Sequence, residues 1–166
     1  MDPQPCFACD AMLRGLARWL RAWGYDASWT YGIADAALLE HARAEGRAVI
    51  TADGGILLRK RVRAGDPPTC FVRNTEPPLQ QLRRVVAAFG LARREPRCMR
   101  CGGALLAIPK ESVAAEAPPR TYAWVDQYFR CQRCHGLFWR GTHFASIEAR
   151  LAQVAGAADP PPINPG

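Results

Sequence analysis

The sequence predicts an α/β domain built on a parallel sheet, followed by a small ribbon held by four cysteines. Three observations predict it. Short β-branched runs alternate with amphipathic stretches up to about Arg93. Two Cys-x-x-Cys pairs follow, Cys98 and Cys101 in "CMRCGG" and Cys131 and Cys134 in "CQRCHG". Between the two regions, after "ARREP", glycines and aromatics replace the strand and helix rhythm. Residues 1–93 are therefore assigned to the sheet domain and 97–151 to the ribbon, while 152–166, with three consecutive prolines and little to bury, read as a disordered or extended tail.

Each element has its own local reason. "CFAC" is a first short strand. In "DAMLRGLARWLRAWG" Leu13, Leu16, Ala17 and Leu20 share one helical face, Arg14, Arg18 and Arg21 run along another, and Gly24 supplies the C-terminal stop. "YDASWTY" is a second, weaker strand; Asp35 then opens a helix, "AALLEHARAEG", that ends at Gly46. "RAVIT" is the third strand, "GGILLRKRVRAG" a short basic helix and "TCFVRN" the fourth strand. "PPLQQLRRVVAAFG" closes the series as a helix with Leu79, Leu82, Val86 and Phe89 on its buried side.

Length and charge narrow the function classes. A chain of 166 residues suits one ordinary domain plus something small. No apolar run is long enough to span a bilayer, and "MDPQPCFACD" lacks the basic lead and apolar stretch of an export signal, so a soluble, cytoplasmic protein with no membrane contact is expected. The formal charge is +7, from 22 Lys and Arg against 15 Asp and Glu. Nearly all the cations are Arg, whose planar fork suits phosphate, so a polyanionic partner is expected.

Each Cys-x-x-Cys folds readily as a knuckle that aims two thiolates at one ion, and two knuckles complete a tetrahedral zinc site. Glycines after each pair relieve the turn. Disulfides would fit an exported chain, a redox dithiol needs only one pair, and "CQRCH" also matches the c-type haem attachment pattern, which a second cysteine pair argues against. His135 and His143 could substitute as ligands, but Cys98, Cys101, Cys131 and Cys134 already fill a structural zinc site with no position left for water. Cys6, Cys9 and Cys70 fall in expected strands and read as small buried residues. Around the site, "YAWVDQYF" and "GLFWRGTHF" place aromatics beside Arg130, Arg133 and Arg140; most should form the ribbon's core, and one or two exposed rings would stack on bases.

Three carboxylates occupy telling positions. Asp10 follows the first strand, Asp35 opens the second helix and Asp53 follows the third strand. In an open parallel sheet ligands gather beyond the carboxyl ends of the strands, where the first and third strands are natural neighbours. Carboxylates held close repel unless a divalent cation lies between them, and hard oxygen ligands with room for water suit magnesium or manganese. Such an ion polarises a phosphoryl oxygen and lowers the pKa of an attacking water, which makes phosphodiester hydrolysis the matching reaction. Spacing alone leaves the other reading open, because all three aspartates also suit helix N-caps. There is no Gly-x-Gly-x-x-Gly after the first strand and no phosphate loop. A phospho-acceptor domain normally wants an acidic pair after the first strand, where Asp10 stands alone. His41 reads as a surface or core histidine.

Four segments, "DAMLRGLARWLRAWGYD", "EGRAVITADGGIL", "RCMRCGG" and "FRCQRCHGLFWRGTH", resemble in order and spacing the PIN-like ribonuclease family named after the C-terminal domain of the exonuclease Mut-seven. The resemblance runs from Phe7 to Leu151 and implies a PIN-like α/β fold joined to a zinc ribbon, with metal-dependent RNA cleavage. It matches Asp10, Asp35 and Asp53 to the family's acids, and Arg18, Trp19 and Arg21 to its basic helix. Family members commonly carry an arginine before the third acid, where this chain has Ala52. A fourth acid often follows a later strand, and Glu76 is the nearest candidate.

The expectation is a magnesium- or manganese-dependent ribonuclease with Asp10, Asp35 and Asp53 at the metal. Arg14, Arg18, Arg21, Lys60 and Arg61, and Arg140 in the ribbon, would contact RNA, expected to be single-stranded. Two other classes fit the same residues: a non-catalytic RNA- or ribosome-binding adaptor, and a toxin-like nuclease paired with an antitoxin.

Overall fold

Four short strands, β1 (Phe7–Cys9), β2 (Ala27–Trp29), β3 (Ala48–Thr51) and β4 (Thr69–Phe71), lie in the order β2-β1-β3-β4 and pair in parallel throughout. The structure is a computed structural model and describes residues 4–156. Parallel neighbours need crossovers. Helix α1 (Arg14–Trp23) links β1 to β2, α2 (Asp35–Ala44) links β2 to β3, and α3 (Gly54–Leu57) with α4 (Lys60–Arg63) links β3 to β4; α5 (Pro78–Phe89) follows β4.

Strand β1 is buried on both sides because helices cover both faces. Phe7 and Cys9 join a core with Leu13, Leu16, Ala17 and Leu20, the helical face that the sequence marked as apolar. Ala8 and Val49 meet Leu38, Leu39 and Ala42 of α2 on the other side. Helix α1 stops at Gly24, whose φ of 109° is left-handed and whose missing Cβ would lie 2.5 Å from that of Arg94. The segment that leaves the sheet domain is thereby packed against the end of α1.

Two helices differ from expectation. The "GGILLRKRVRAG" stretch is two short helices rather than one, with Arg59 extended at the join. In α5 the fully buried residues are Gln81, Leu82 and Val85, whereas Leu79, Val86 and Phe89 are partly covered. The Gln81 amide donates to the Arg73 carbonyl at 2.9 Å, so a polar side chain is accommodated in the interior.

Beyond the sheet domain, β5 (Leu105–Ile108), β6 (Tyr128–Cys131) and β7 (Leu137–Trp139) form an antiparallel sheet in the order β5-β6-β7. Between β5 and β6 lies α6 (Pro119–Trp124), and Val113, Ala117, Val125 and Tyr128 make a small core. Helix α7 (Thr142–Ala155) then returns to α5 and buries Leu151 and Val154 in the first domain's core. It carries residues 152–155 of the stretch expected as a tail; from 157 onward that stretch lies outside the described residues. Among the described residues, no helix is long and apolar enough to cross a membrane.

Candidate functional site

Asp10 stands where β1 gives way to a 3-10 turn, and it is only 2% exposed. One carboxylate oxygen accepts the Ala11 N–H at 2.7 Å and the other accepts the Thr51 hydroxyl at 2.7 Å. Thr51 ends β3, so this hydroxyl reaches across the β1–β3 pair. The Thr51 hydroxyl oxygen also accepts the Asp53 backbone N–H at 2.9 Å. Asp53 in turn accepts the Gly55 N–H at 2.7 Å and caps α3. Asp10 and Asp53 thus share one hydroxyl at the carboxyl edge of adjacent parallel strands.

Asp35 is held differently. It opens α2, and its carboxylate accepts from the Arg59 guanidinium at 3.2 Å. Among the described residues, the four thiols are the one group of His, Cys, Asp or Glu side chains drawn together closely enough to hold an ion, and Asp10, Asp35 and Asp53 are not gathered in that way. Glu76 is farther from the expected role: Arg84 donates to both of its oxygens, at 2.6 and 2.5 Å, and the pair is nearly buried. Those hydrogen bonds hold the Glu76 carboxyl below the usual carboxylate range. His41 meets the Ser28 hydroxyl at 3.0 Å and Glu45 at 3.4 Å, away from the strand-edge acids.

The basic residues separate into two groups. Arg14 and Arg18 are exposed on α1, with the Arg14 guanidinium 5.5 Å from the centre of the Trp29 ring. Arg21, expected on the same stripe, is instead 6% exposed. Its Nε donates to the Ala27 carbonyl at 2.8 Å and its Nη1 to the Met99 and Arg100 carbonyls, both at 3.0 Å. Helical periodicity aligned it correctly with its neighbours, but the first cysteine knuckle covers that end of the helix. Lys60 and Arg61 are exposed on α4, and Arg61 pairs with Asp66 at 3.0 Å.

The four cysteine sulfurs lie within 4.8 Å of one another, with Cys98 and Cys134 at 3.7 Å and Cys101 and Cys131 at 3.5 Å. These separations exceed a disulfide bond of ~2.05 Å and approach the ~3.8 Å edge of a tetrahedron whose sulfurs lie ~2.3 Å from zinc. The donor set therefore fits a metal such as zinc. Burial tends to raise the Cys131 thiol, but N–H groups of Cys134 and Arg133 together with the neighbouring thiols outweigh it and bring Cys131 down to about 6. Burial pushes Cys98 up to about 12. Gly103 is required here, because a Cβ on it would lie 2.7 Å from the Cys131 sulfur. Cys9 is buried and its thiol is pushed up to about 12 by desolvation, in line with a packing role.

Between α1 and the ribbon runs a cleft of about 860 Å³. Arg14, Arg18 and Trp29 line one side, and Arg100, Trp124 and Phe138 line the other. Arg140 also borders it, stacked over Phe129 and Phe144 at 5.3 and 5.2 Å and paired with Glu95 at 3.3 Å. Sequence reasoning did not single out Thr51, Arg59 or Trp29. Thr51 carried a weak signal in its Thr-x-Asp spacing, while the other two carried none, because their partners are remote in the chain.

The sequence model of the family described as Mut7-C RNAse domain matches residues 5–151. No curated protein and no solved structure matches the chain.

Proposed function

The chain belongs to the Mut7-C RNAse domain family, and on that premise we propose that it is a metal-dependent ribonuclease whose cleavage centre is the carboxyl edge of β1 and β3. The observation that carries this reading is the Thr51 hydroxyl, which holds the buried Asp10 carboxylate and the Asp53 backbone together. As helix caps alone, neither residue would need the other.

Asp10 and Asp53 supply hard oxygen ligands, the donor type that magnesium and manganese take. Bound there, such an ion supplies Lewis acidity toward a phosphoryl oxygen and a more acidic water. Asp35 would join the set through its second carboxylate oxygen or by exchanging Arg59 for the ion, since Arg59 donates to one of its oxygens. The Thr51 hydroxyl fixes the Asp10 rotamer, and Gly55 N–H fixes that of Asp53, so both carboxylates are oriented before substrate arrives. Arg14 and Arg18, one and two helical turns beyond Asp10, hold backbone phosphates of the RNA. Zinc in the thiol cluster is structural, since four thiolates leave no open coordination position.

The test is cleavage of labelled single-stranded RNA in manganese. Asp10→Asn and Asp53→Asn should each lower the rate on the order of 100-fold, the scale of losing one electrostatic stabiliser, while RNA affinity stays close to the parent; melting temperature should hold for Asp53→Asn and fall for Asp10→Asn, which replaces a buried acceptor of the Thr51 hydroxyl by a donor. Equal rates for parent and Asp53→Asn would exclude the nuclease reading. The Asp35–Arg59 pair favours a second reading, a non-catalytic RNA-binding adaptor, which predicts salt-sensitive binding without manganese-dependent cleavage.

A further inference from the structure

We propose that the cleft between α1 and the ribbon seats an unpaired segment of RNA, its bases stacked on the ribbon's rings and its phosphates on arginines from both walls. The direction of the strand toward Asp10 rests on the ribonuclease reading; the occupancy of the cleft does not.

Position is the first argument. The Trp29 indole N–H donates to the Ala11 carbonyl at 2.8 Å, and Ala11 N–H donates to the Asp10 carboxylate. One residue of the cleft wall, Trp29, is therefore hydrogen-bonded to the neighbour of the strand-edge acid, although Asp10 itself does not line the cleft, which runs from there to the ribbon. A strand presenting a phosphodiester to Asp10 has its flanking nucleotides directed along this wall.

The rings are the second argument. Trp124 is 56% exposed, lines the cleft and is not part of the small ribbon core. A Cβ at Gly141 would lie 3.2 Å from the Trp139 ring and 3.3 Å from Trp124, so the absence of a side chain there lets both indoles approach the β7–α7 turn. Phe138 faces the same space. Flat rings accept any base on its π-face.

Charge selects the occupant. Arg14, Arg18 and Arg100 are exposed along the lining, and Glu95, its one acidic member, is paired with Arg140. Cations interleaved with rings match a chain of phosphates interleaved with bases. A duplex keeps its base faces covered and offers the rings nothing. A partner helix would use the aliphatic side chains that also line the cleft, Met99, Leu105, Leu137 and Ile147, but would leave Arg14, Arg18 and Arg100 without phosphates to meet.

The experiment measures equilibrium binding by fluorescence anisotropy in the Asp53→Asn background of the full chain, with an unpaired RNA of about 12 nucleotides and the corresponding duplex as probes. The unpaired probe should bind more tightly than the duplex and quench Trp fluorescence. Trp124→Ala should weaken it by about tenfold, within the range for one lost base stack. Arg100→Gln should weaken it severalfold and reduce the salt slope by about one. Leu58→Ala, an exposed position outside the cleft, should leave binding unchanged. Affinities within twofold of the parent for both Trp124→Ala and Arg100→Gln overturn the proposal and leave the cleft to a protein partner; so does equal affinity for the duplex. A chain that cleaves nothing in manganese but binds through Trp124 overturns only the ribonuclease reading. One that cleaves RNA while Trp124→Ala and Arg100→Gln both keep the parental rate and affinity overturns only the cleft.

Discussion

Thr51 Oγ1 donates to one aspartate and accepts from the backbone of another, so its removal should disturb two groups together. Thr51→Val keeps the β-branched shape of a buried strand position and deletes only the hydroxyl. We expect it to cost about 1–3 kcal/mol, read from urea denaturation, because an Asp10 oxygen and the Asp53 N–H lose a partner. Cleavage should fall by more than the lost folded fraction accounts for, since Asp10 also loses its orienting bond. Glu76 offers a second test at this scale. Its hydrogen bonds from Arg84 depress the folded-state pKa below the reference 4.5, so the pair's contribution is fully present above the unfolded value and is lost as pH falls through the folded one. Glu76→Gln should therefore lower stability at neutral pH by on the order of 3 kcal/mol, and thermal melts in acid should show that gap closing. Asp10 and Asp53 were legible in the sequence because the end of a strand is a local fact. The pairing of Glu76 with Arg84 was not, because it depends on how the turn before α5 folds back.

At the scale of elements, the end of α1 shows how an amphipathic reading can be right in direction and incomplete in consequence. Periodicity correctly placed Arg14, Arg18 and Arg21 on one side of the helix. The ribbon then covers the last of them, where Arg21 ties the end of α1, the start of β2 and the first cysteine knuckle together. Arg21→Met keeps much of the stem and leaves three carbonyls without that donor. It should destabilise the chain by about 3 kcal/mol in denaturant titrations and speed metal loss to a chromogenic chelator. The knuckle approaches just as closely at Gly102, whose φ is 81° and where a Cβ would lie 2.9 Å from the Asp26 carboxylate. Helix α5 makes the same point: its apolar positions were visible, but Gln81 is buried because the Arg73 carbonyl awaits its amide. The break between α3 and α4 lies at Arg59, whose side chain reaches Asp35.

Across the whole molecule, the ribbon and the sheet domain are not independent supports. Helix α7 leaves the ribbon and buries Leu151 and Val154 beside Leu82 and Val85 of α5. Loss of metal from the thiol cluster should therefore lower the melting temperature of the full chain, with the near-ultraviolet signal of Trp23 in the sheet core changing in the same transition as the ribbon's. Metal analysis should find about one zinc per chain, the stoichiometry of a four-thiolate site. What the sequence by itself determined is whatever depends on residues within a turn or a strand of one another: the α/β alternation, the apolar faces of the helices, the paired cysteines and the acids at strand ends. Only the tertiary structure decided which of these act together. Thr51 between Asp10 and Asp53, Arg59 on Asp35, Arg21 beneath the knuckle and the ring-lined cleft all join residues distant in the chain. Such contacts follow from packing and desolvation across the assembled layers, which local spacing does not encode.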